Sequence, residues 1–247
     1  MINNHRFQIL PPVVKNLLII NVLLFIATGI LQSPPLNIDL TKILGLHYWR
    51  SELFSPWQII SYMFMHGNIP HILFNMFAVW MFGTVLENVW GGKRFLTYYM
   101  ITGIGAAIVH LVVCQYEILS LKAQVNPTDI NTLLENGKRI LENNQNYSNQ
   151  FLGKLNLLIN TPTVGASGAA FGILLAFGML FPNTLLYIYF AIPIKAKYFV
   201  IIFGCIELYL GLSNNPSDNV AHFAHLGGMI FGFLLLKYWQ KNNTEFY

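Results

Sequence analysis

The chain has 247 residues, of which 55% are apolar and only 10% charged, and its mean hydropathy is strongly positive. Soluble globular chains carry about a quarter charged residues, so this balance excludes an ordinary cytosolic enzyme, a disordered chain and a secreted disulfide scaffold, and it fits a polytopic membrane protein. The formal charge of +4 forms no basic stripe, so nucleic acid is not expected as a partner.

The first apolar run, 17–31, follows Lys15 and is succeeded by Gln32-Ser33-Pro34-Pro35, a poor small-residue cleavage site. It reads as a membrane helix rather than a signal peptide. The segment 34–70 mixes Leu53, Phe54, Trp57, Ile59 and Ile60 with polar residues and Pro56, which suits an amphipathic stretch lying in the interface. Spans are expected at 72–89 and 95–116. A polar insert then covers 117–160, with Asn126-Pro127 and the cluster Asn143, Asn144, Gln145 and Asn146, and is expected outside the membrane, partly helical at most. Three more spans, at 164–181, 198–212 and 221–239, bring the expected total to six. Cys114 and Cys205 lie inside apolar runs and read as small buried hydrophobes. Tyr98, Tyr99, Tyr187, Tyr189 and Trp239 read as interfacial anchors.

Orientation follows from the basic residues. With the N-terminus inside, short inner segments hold Arg6, Lys15, Lys93, Arg94, Lys195, Lys197, Lys237 and Lys241, whereas Lys42, Arg50, Lys122, Lys138, Arg139 and Lys154 are spread over longer outer loops. The density favours both termini inside.

Polar groups within spans are costly and point to function. Here they are His71, Asn75, Glu87, His110, Ser167, Glu207, His222 and His225. His71 and Asn75 open the second span, Ser167 the fourth and His225 the sixth. Even-numbered spans enter the membrane from one side, so these four groups share a depth. His71 and Asn75, four apart, lie on one helix face. Ser167 is flanked by Gly165, Ala166, Gly168, Ala169 and Gly172, and His225 is followed by Gly228 and Gly232. With Gly168 and Gly172 facing Gly228 and Gly232, the two helices approach closely enough for Ser167 Oγ to meet a ring nitrogen of His225. A serine hydroxyl needs such a base before it attacks. The Ser167 backbone N–H near a helix start, with His71 and Asn75, can stabilise an oxyanion. Glu87 and Glu207 both read as lying near the far ends of their spans, which leaves a Ser-His dyad. Glu87 reads as a structural group tying loops, His66 as an anchor before the second span and His222 as an outer-rim residue. His110 and Glu207 have no partner recognisable in the sequence. No bound metal is expected, because His71, His222 and His225 lack a supporting carboxylate at that depth.

These residues resemble the motifs of the rhomboid intramembrane serine proteases, over nearly the whole chain. The matching stretches are His66-x4-His71-x3-Asn75, Gly83-x3-Glu87-x3-Gly91, Gly165-Ala166-Ser167-Gly168 and Ala224-His225-x2-Gly228-x3-Gly232. The resemblance implies an all-α rhomboid-like bundle of six transmembrane helices, with Ser167 as nucleophile and His225 as general base and acid. It also implies oxyanion support from His71 and Asn75, no cofactor, and cleavage of transmembrane protein substrates in or beside their helices. The whole chain, 1–247, is then one rhomboid-like membrane domain, with a short cytoplasmic N-terminus at 1–16, the interfacial loop 34–70, the insert 117–160 and a tail at 240–247. Its expected place is a bacterial cytoplasmic membrane, with the site opening outward past the loop 213–220, which follows Gly211 and can act as a gate. The family's first-loop Trp-Arg pair falls here on Trp57-Gln58, so the Arg is missing, while a literal Trp49-Arg50 lies upstream. The alternatives are a non-catalytic relative that binds membrane proteins, a His-ligated metal-dependent hydrolase and, more remotely, a transporter.

Overall fold

The computed structural model describes residues 7–188, 191–213 and 220–242. It is an all-α membrane protein in which helices stand at all six expected positions. The first is α1 (Pro12–Gln32). Two short helices of the first loop follow, α2 (Leu40–Leu44) and α3 (Gln58–Ser61). α4 (Ile69–Ala78) and α5 (Thr84–Trp90) are joined through a π-helical turn at Val79–Gly83 into one helix, Ile69–Trp90. α6 runs over Gly92–Lys122. Beyond α7 (Pro127–Glu142) and α8 (Gln150–Asn160) come α9 (Ser167–Leu180), α10 (Ala196–Leu212) and α11 (His222–Asn242). Pro12–Gln32, Ile69–Trp90 and Gly92–Lys122 are by themselves long and apolar enough to cross a membrane. α9, with 14 residues, is shorter than a full span.

α11 packs along both α6 and α9, and α10 lies against α11. The centre of the bundle is filled by Phe82, Leu86, Phe95, Tyr98, Tyr99, Ile173 and Phe177. α1 keeps most of its apolar side chains outward, among them Leu23, Ile26 and Ile30, as a helix facing lipid does. Two expectations about these spans need correction. Tyr98 and Tyr99 are core residues with no exposure rather than interfacial anchors, and Tyr98 satisfies its hydroxyl inside by donating to the Gly172 carbonyl at 2.9 Å. Cys205 is exposed on α10, whereas Cys114 is buried. A small antiparallel hairpin, β1 (Leu185–Ile188) and β2 (Ile192–Lys195), links α9 to α10. Tyr189 and most of the expected gate at 213–220 lie outside the described residues.

The insert is mostly helical, contrary to the expectation from its Asn-rich composition. Its asparagines serve the helices instead of breaking them. Asn149 caps α8 by accepting from the Phe151 and Leu152 amides, and the Asn156 amide donates to the Gly137 carbonyl, joining α8 to α7. Leu133, Leu152, Leu155 and Ile159 close over Cys114, Ile118 and Leu121 of α6 and Tyr48 of the first loop, a second core separate from the one at the centre of the bundle.

The first loop is pinned through Gln58. Its Oε1 accepts from the His47 and Ser55 amides at 3.2 Å each, and its Nε2 donates to the carbonyls of Ile43 at 3.2 Å and Leu53 at 2.9 Å. Four backbone groups are satisfied by one buried side chain. Gln58 thus ties the loop, while the guanidinium of Arg50 lies over the ring of Trp49.

Candidate active site

The approach to Ser167 is held from two sides. Leu46 and Thr163 exchange backbone hydrogen bonds at 2.8 and 2.9 Å, and the Gly165 amide donates to the Tyr62 carbonyl at 2.9 Å. Gly165 has φ +132°, which side chains rarely adopt, and a Cβ there would lie 2.7 Å from His71 Nε2 and 3.6 Å from Ser167 Oγ. The glycine therefore opens the space between these two groups. Helix α9 begins at Ser167, and the first of its regular bonds runs from the Ala170 amide to the Ala166 carbonyl. The backbone N–H of Ser167 lies before that bond and has no partner within the helix.

The fourth and sixth expected spans come together as the small residues require, but not pair by pair. A Cβ on Gly228 would collide with the Gly168 carbonyl, so α9 and α11 touch through backbone at that level. Gly172 and Gly232 instead accommodate Thr102 and Tyr98 of α6. The third helix fills the space because it packs against both α9 and α11.

Ser167 Oγ lies 2.8 Å from His225 Nε2. Phe171, one helical turn after Ser167, stacks on the His225 ring with centroids 4.3 Å apart and planes within 7°. On the other side of the ring, His225 Nδ1 lies 2.7 Å from Glu207 Oε2. His222 Nδ1 lies 2.7 Å from the same oxygen. Glu207, His222 and His225 are all buried. This corrects the placement of Glu207 as remote from the site and of His222 as a rim residue. α10 runs opposite to α9 and α11, so the far end of the fifth span and the near end of the sixth are at one depth, across a short connection. That direction of travel was the signal available in the sequence. Phe171 was missed, although its place four residues from Ser167 on one helix face was a signal that it borders the site.

His71 and Asn75 stand on α4 with Asn75 buried, and Asn68 caps that helix by accepting from the His71 amide at 2.8 Å. The His66 ring is buried edge-on to His71 at 5.0 Å. His110 meets Thr163 Oγ at 2.7 Å, which ties α6 to the segment before Ser167. Glu87 is at the opposite end of the bundle, where its two oxygens accept from the Val13 and Val14 amides at 2.9 and 2.7 Å and cap the start of α1. The metal-ligating groups that converge among the described residues are Glu207, His222 and His225, with ligand atoms within 4.8 Å of one another. His71 is outside that set, and the carboxylate that the sequence pattern does not place at this depth is supplied by Glu207.

A serine on a backbone-close helix pair with a buried histidine at hydrogen-bond distance is an arrangement for nucleophilic catalysis. The chain matches the Rhomboid domain over residues 53–241. It belongs to the rhomboid family. The mitochondrial Rhomboid protein 1 of Saccharomyces cerevisiae is 27% identical over 225 residues, covering 91% of this chain and 52% of the relative. An uncharacterised mitochondrial rhomboid protein of Schizosaccharomyces pombe is 27% identical over 213 residues, covering 76% of this chain and 52% of the relative. The rhomboid protease GluP of Bacillus subtilis is 27% identical over 183 residues, covering 72% of this chain and 25% of the relative. This rhomboid chain thus spans about half of its fungal relatives' length and a quarter of GluP.

Proposed function

We propose that this protein is an intramembrane serine endopeptidase, a single rhomboid-like membrane domain of six spans that hydrolyses peptide bonds in or next to the transmembrane helices of membrane-protein substrates. The observation that carries the reading is the 2.8 Å approach of Ser167 Oγ to His225 Nε2. Ser167 attacks the scissile carbonyl carbon while its proton passes to His225 Nε2. The oxyanion is met by the Ser167 N–H and by the side chains of His71 and Asn75. As the intermediate collapses, the C–N bond breaks and His225 returns the proton to the leaving amine. Water then hydrolyses the acyl-enzyme through the same base. An intact substrate helix hides its carbonyls in hydrogen bonds, so the preferred substrates have helices that unwind locally. The basic residues support a cytoplasmic-membrane topology with both termini inside and the site opening outward.

The test is reaction of the detergent-solubilised protein with a fluorophosphonate probe, comparing wild type with Ser167→Ala and His225→Ala. Labelling of wild type alone is expected. A folded wild type that stays unlabelled overturns the reading and favours a non-catalytic relative. The convergence of Glu207, His222 and His225 supports a second reading, a metal-dependent hydrolase. A metal bound to the purified protein together with loss of cleavage on chelation would establish it in place of the serine mechanism.

A further inference from the structure

We infer that Glu207 is the positioning residue of His225 and that His222 holds the Glu207 carboxylate in place, so that Ser167, His225, Glu207 and His222 form one hydrogen-bonded chain. The inference rests on the serine–histidine reading above and extends its dyad across α9, α10 and α11.

A carboxylate only accepts hydrogen bonds. With His225 Nδ1 and His222 Nδ1 each 2.7 Å from Glu207 Oε2, each ring donates its Nδ1–H to that one oxygen. A neutral imidazole with its proton on Nδ1 has a bare lone pair on Nε2. In His225 that lone pair is on the atom 2.8 Å from Ser167 Oγ, which is where the hydroxyl proton must go. The other tautomer would present an N–H to the serine and could not act as base. Glu207 therefore selects the reactive tautomer. Its negative charge also opposes the positive charge that His225 acquires when it takes the serine proton inside the bundle.

His222 and His225 lie one turn apart on α11, with ring centroids 6.2 Å apart and planes at 89°. This perpendicular pair brings both Nδ1 atoms to the same oxygen from different directions, which restrains rotation of the carboxylate. The flat stack of Phe171 on His225 restrains the remaining freedom of the ring. Glu207 enters from α10, whose tie to α11 passes through this contact. The catalytic geometry thus depends on three helices.

The experiment uses the full chain in detergent and saturation kinetics of fluorophosphonate labelling, which separate the maximal inactivation rate from the probe's apparent dissociation constant. Glu207→Gln is expected to lower the maximal rate by at least about 10-fold with the dissociation constant unchanged, since the amide can still accept a hydrogen bond but lacks the charge. Glu207→Asp recovers part of that loss. His222→Gln gives a smaller fall in the same rate constant. In wild-type protein carrying nitrogen-15 histidine, the Nδ1-protonated tautomer of His225 is expected. Labelling of Glu207→Gln at the wild-type rate overturns the inference and leaves the serine reading intact, as does an Nε2-protonated His225. A wild type that does not label, or a Ser167→Ala protein that labels equally, overturns the underlying serine reading instead.

Discussion

Two buried glutamates lie at opposite ends of the bundle, and they are used for different physics. Glu87, at the end where α5 meets the start of α1, accepts two backbone amides and neutralises the exposed donors of a helix N-terminus. Glu207, at the other end, accepts two imidazoles. Backbone amides do not change protonation, so the first site is a fixed structural tie. Imidazoles do, so the second can govern a base. The contrast teaches that in a membrane bundle burial of a carboxylate says only that it must be partnered, while the type of partner says what it is for.

The comparison predicts opposite phenotypes at the two ends. The largest effect is expected for Ser167→Ala and His225→Ala, each lowering cleavage and probe labelling by on the order of 10³-fold or more, with thermal stability changing little in Ser167→Ala and falling in His225→Ala, which empties a buried ring site and removes a partner of Glu207. Retained activity in either would remove function from that end altogether. Next is Gly228→Val, which forces a side chain against the Gly168 backbone. Overpacking of this kind costs about 1–3 kcal/mol. Because it pushes α9 from α11, labelling should fall together with the melting temperature.

Glu87→Ala should show the reverse of the serine variant. It leaves the Val13 and Val14 amides unsatisfied, at roughly 1–3 kcal/mol, while the labelling rate per folded molecule stays at the wild-type value. A loss of labelling without loss of stability would erase the distinction between the two glutamates. Gln58→Ala frees four backbone groups of the first loop and should destabilise by about 1–2 kcal/mol, seen as earlier proteolysis between α1 and α4 than in wild type.

A further effect concerns pH. Burial first, and the neighbouring His71 second, push His66 down from 6.5 to about 4. The unfolded chain takes up a proton below pH 6.5 that the folded chain refuses until about 4. Stability attached to His66 is therefore complete above pH 6.5 and declines as the pH falls toward 4. His66→Phe should flatten that acid limb of the melting curve by a few degrees. An unchanged acid limb would mean that His66 contributes nothing to it.

Most of the architecture is legible in the sequence, because an apolar run of span length in so hydrophobic a chain forms a membrane helix. The helix Pro12–Gln32 is expected at 17–31, and His222–Asn242 at 221–239. The juxtaposition of Ser167 with His225 is legible for a different reason. Small residues mark where two membrane helices touch, and even-numbered spans share a direction. What fails is depth across antiparallel neighbours. Position along its own span misplaces Glu207, because a hairpin of helices brings the end of one span beside the start of the next. Tyr98 is misplaced because an aromatic hydroxyl suits an interface equally well until a partner such as the Gly172 carbonyl is known. The helices of the insert are missed because asparagine lowers helix propensity in the interior of a helix but stabilises its start, and composition does not distinguish the two.

Sequence by itself determined that the chain is helical and membrane-embedded, which helices carry polar groups, and that Ser167 and His225 could meet. These follow from short-range physics, namely the hydrophobic period, the cost of burying polar groups and the volume of glycine. Only the tertiary structure decided that Glu207 and His222 join His225, that Gly172 and Gly232 receive α6 rather than each other, and that Gln58 ties the first loop. Each of these depends on the relative rotation and depth of separate helices and loops. Those quantities are fixed by packing across the whole bundle, and no single segment encodes them.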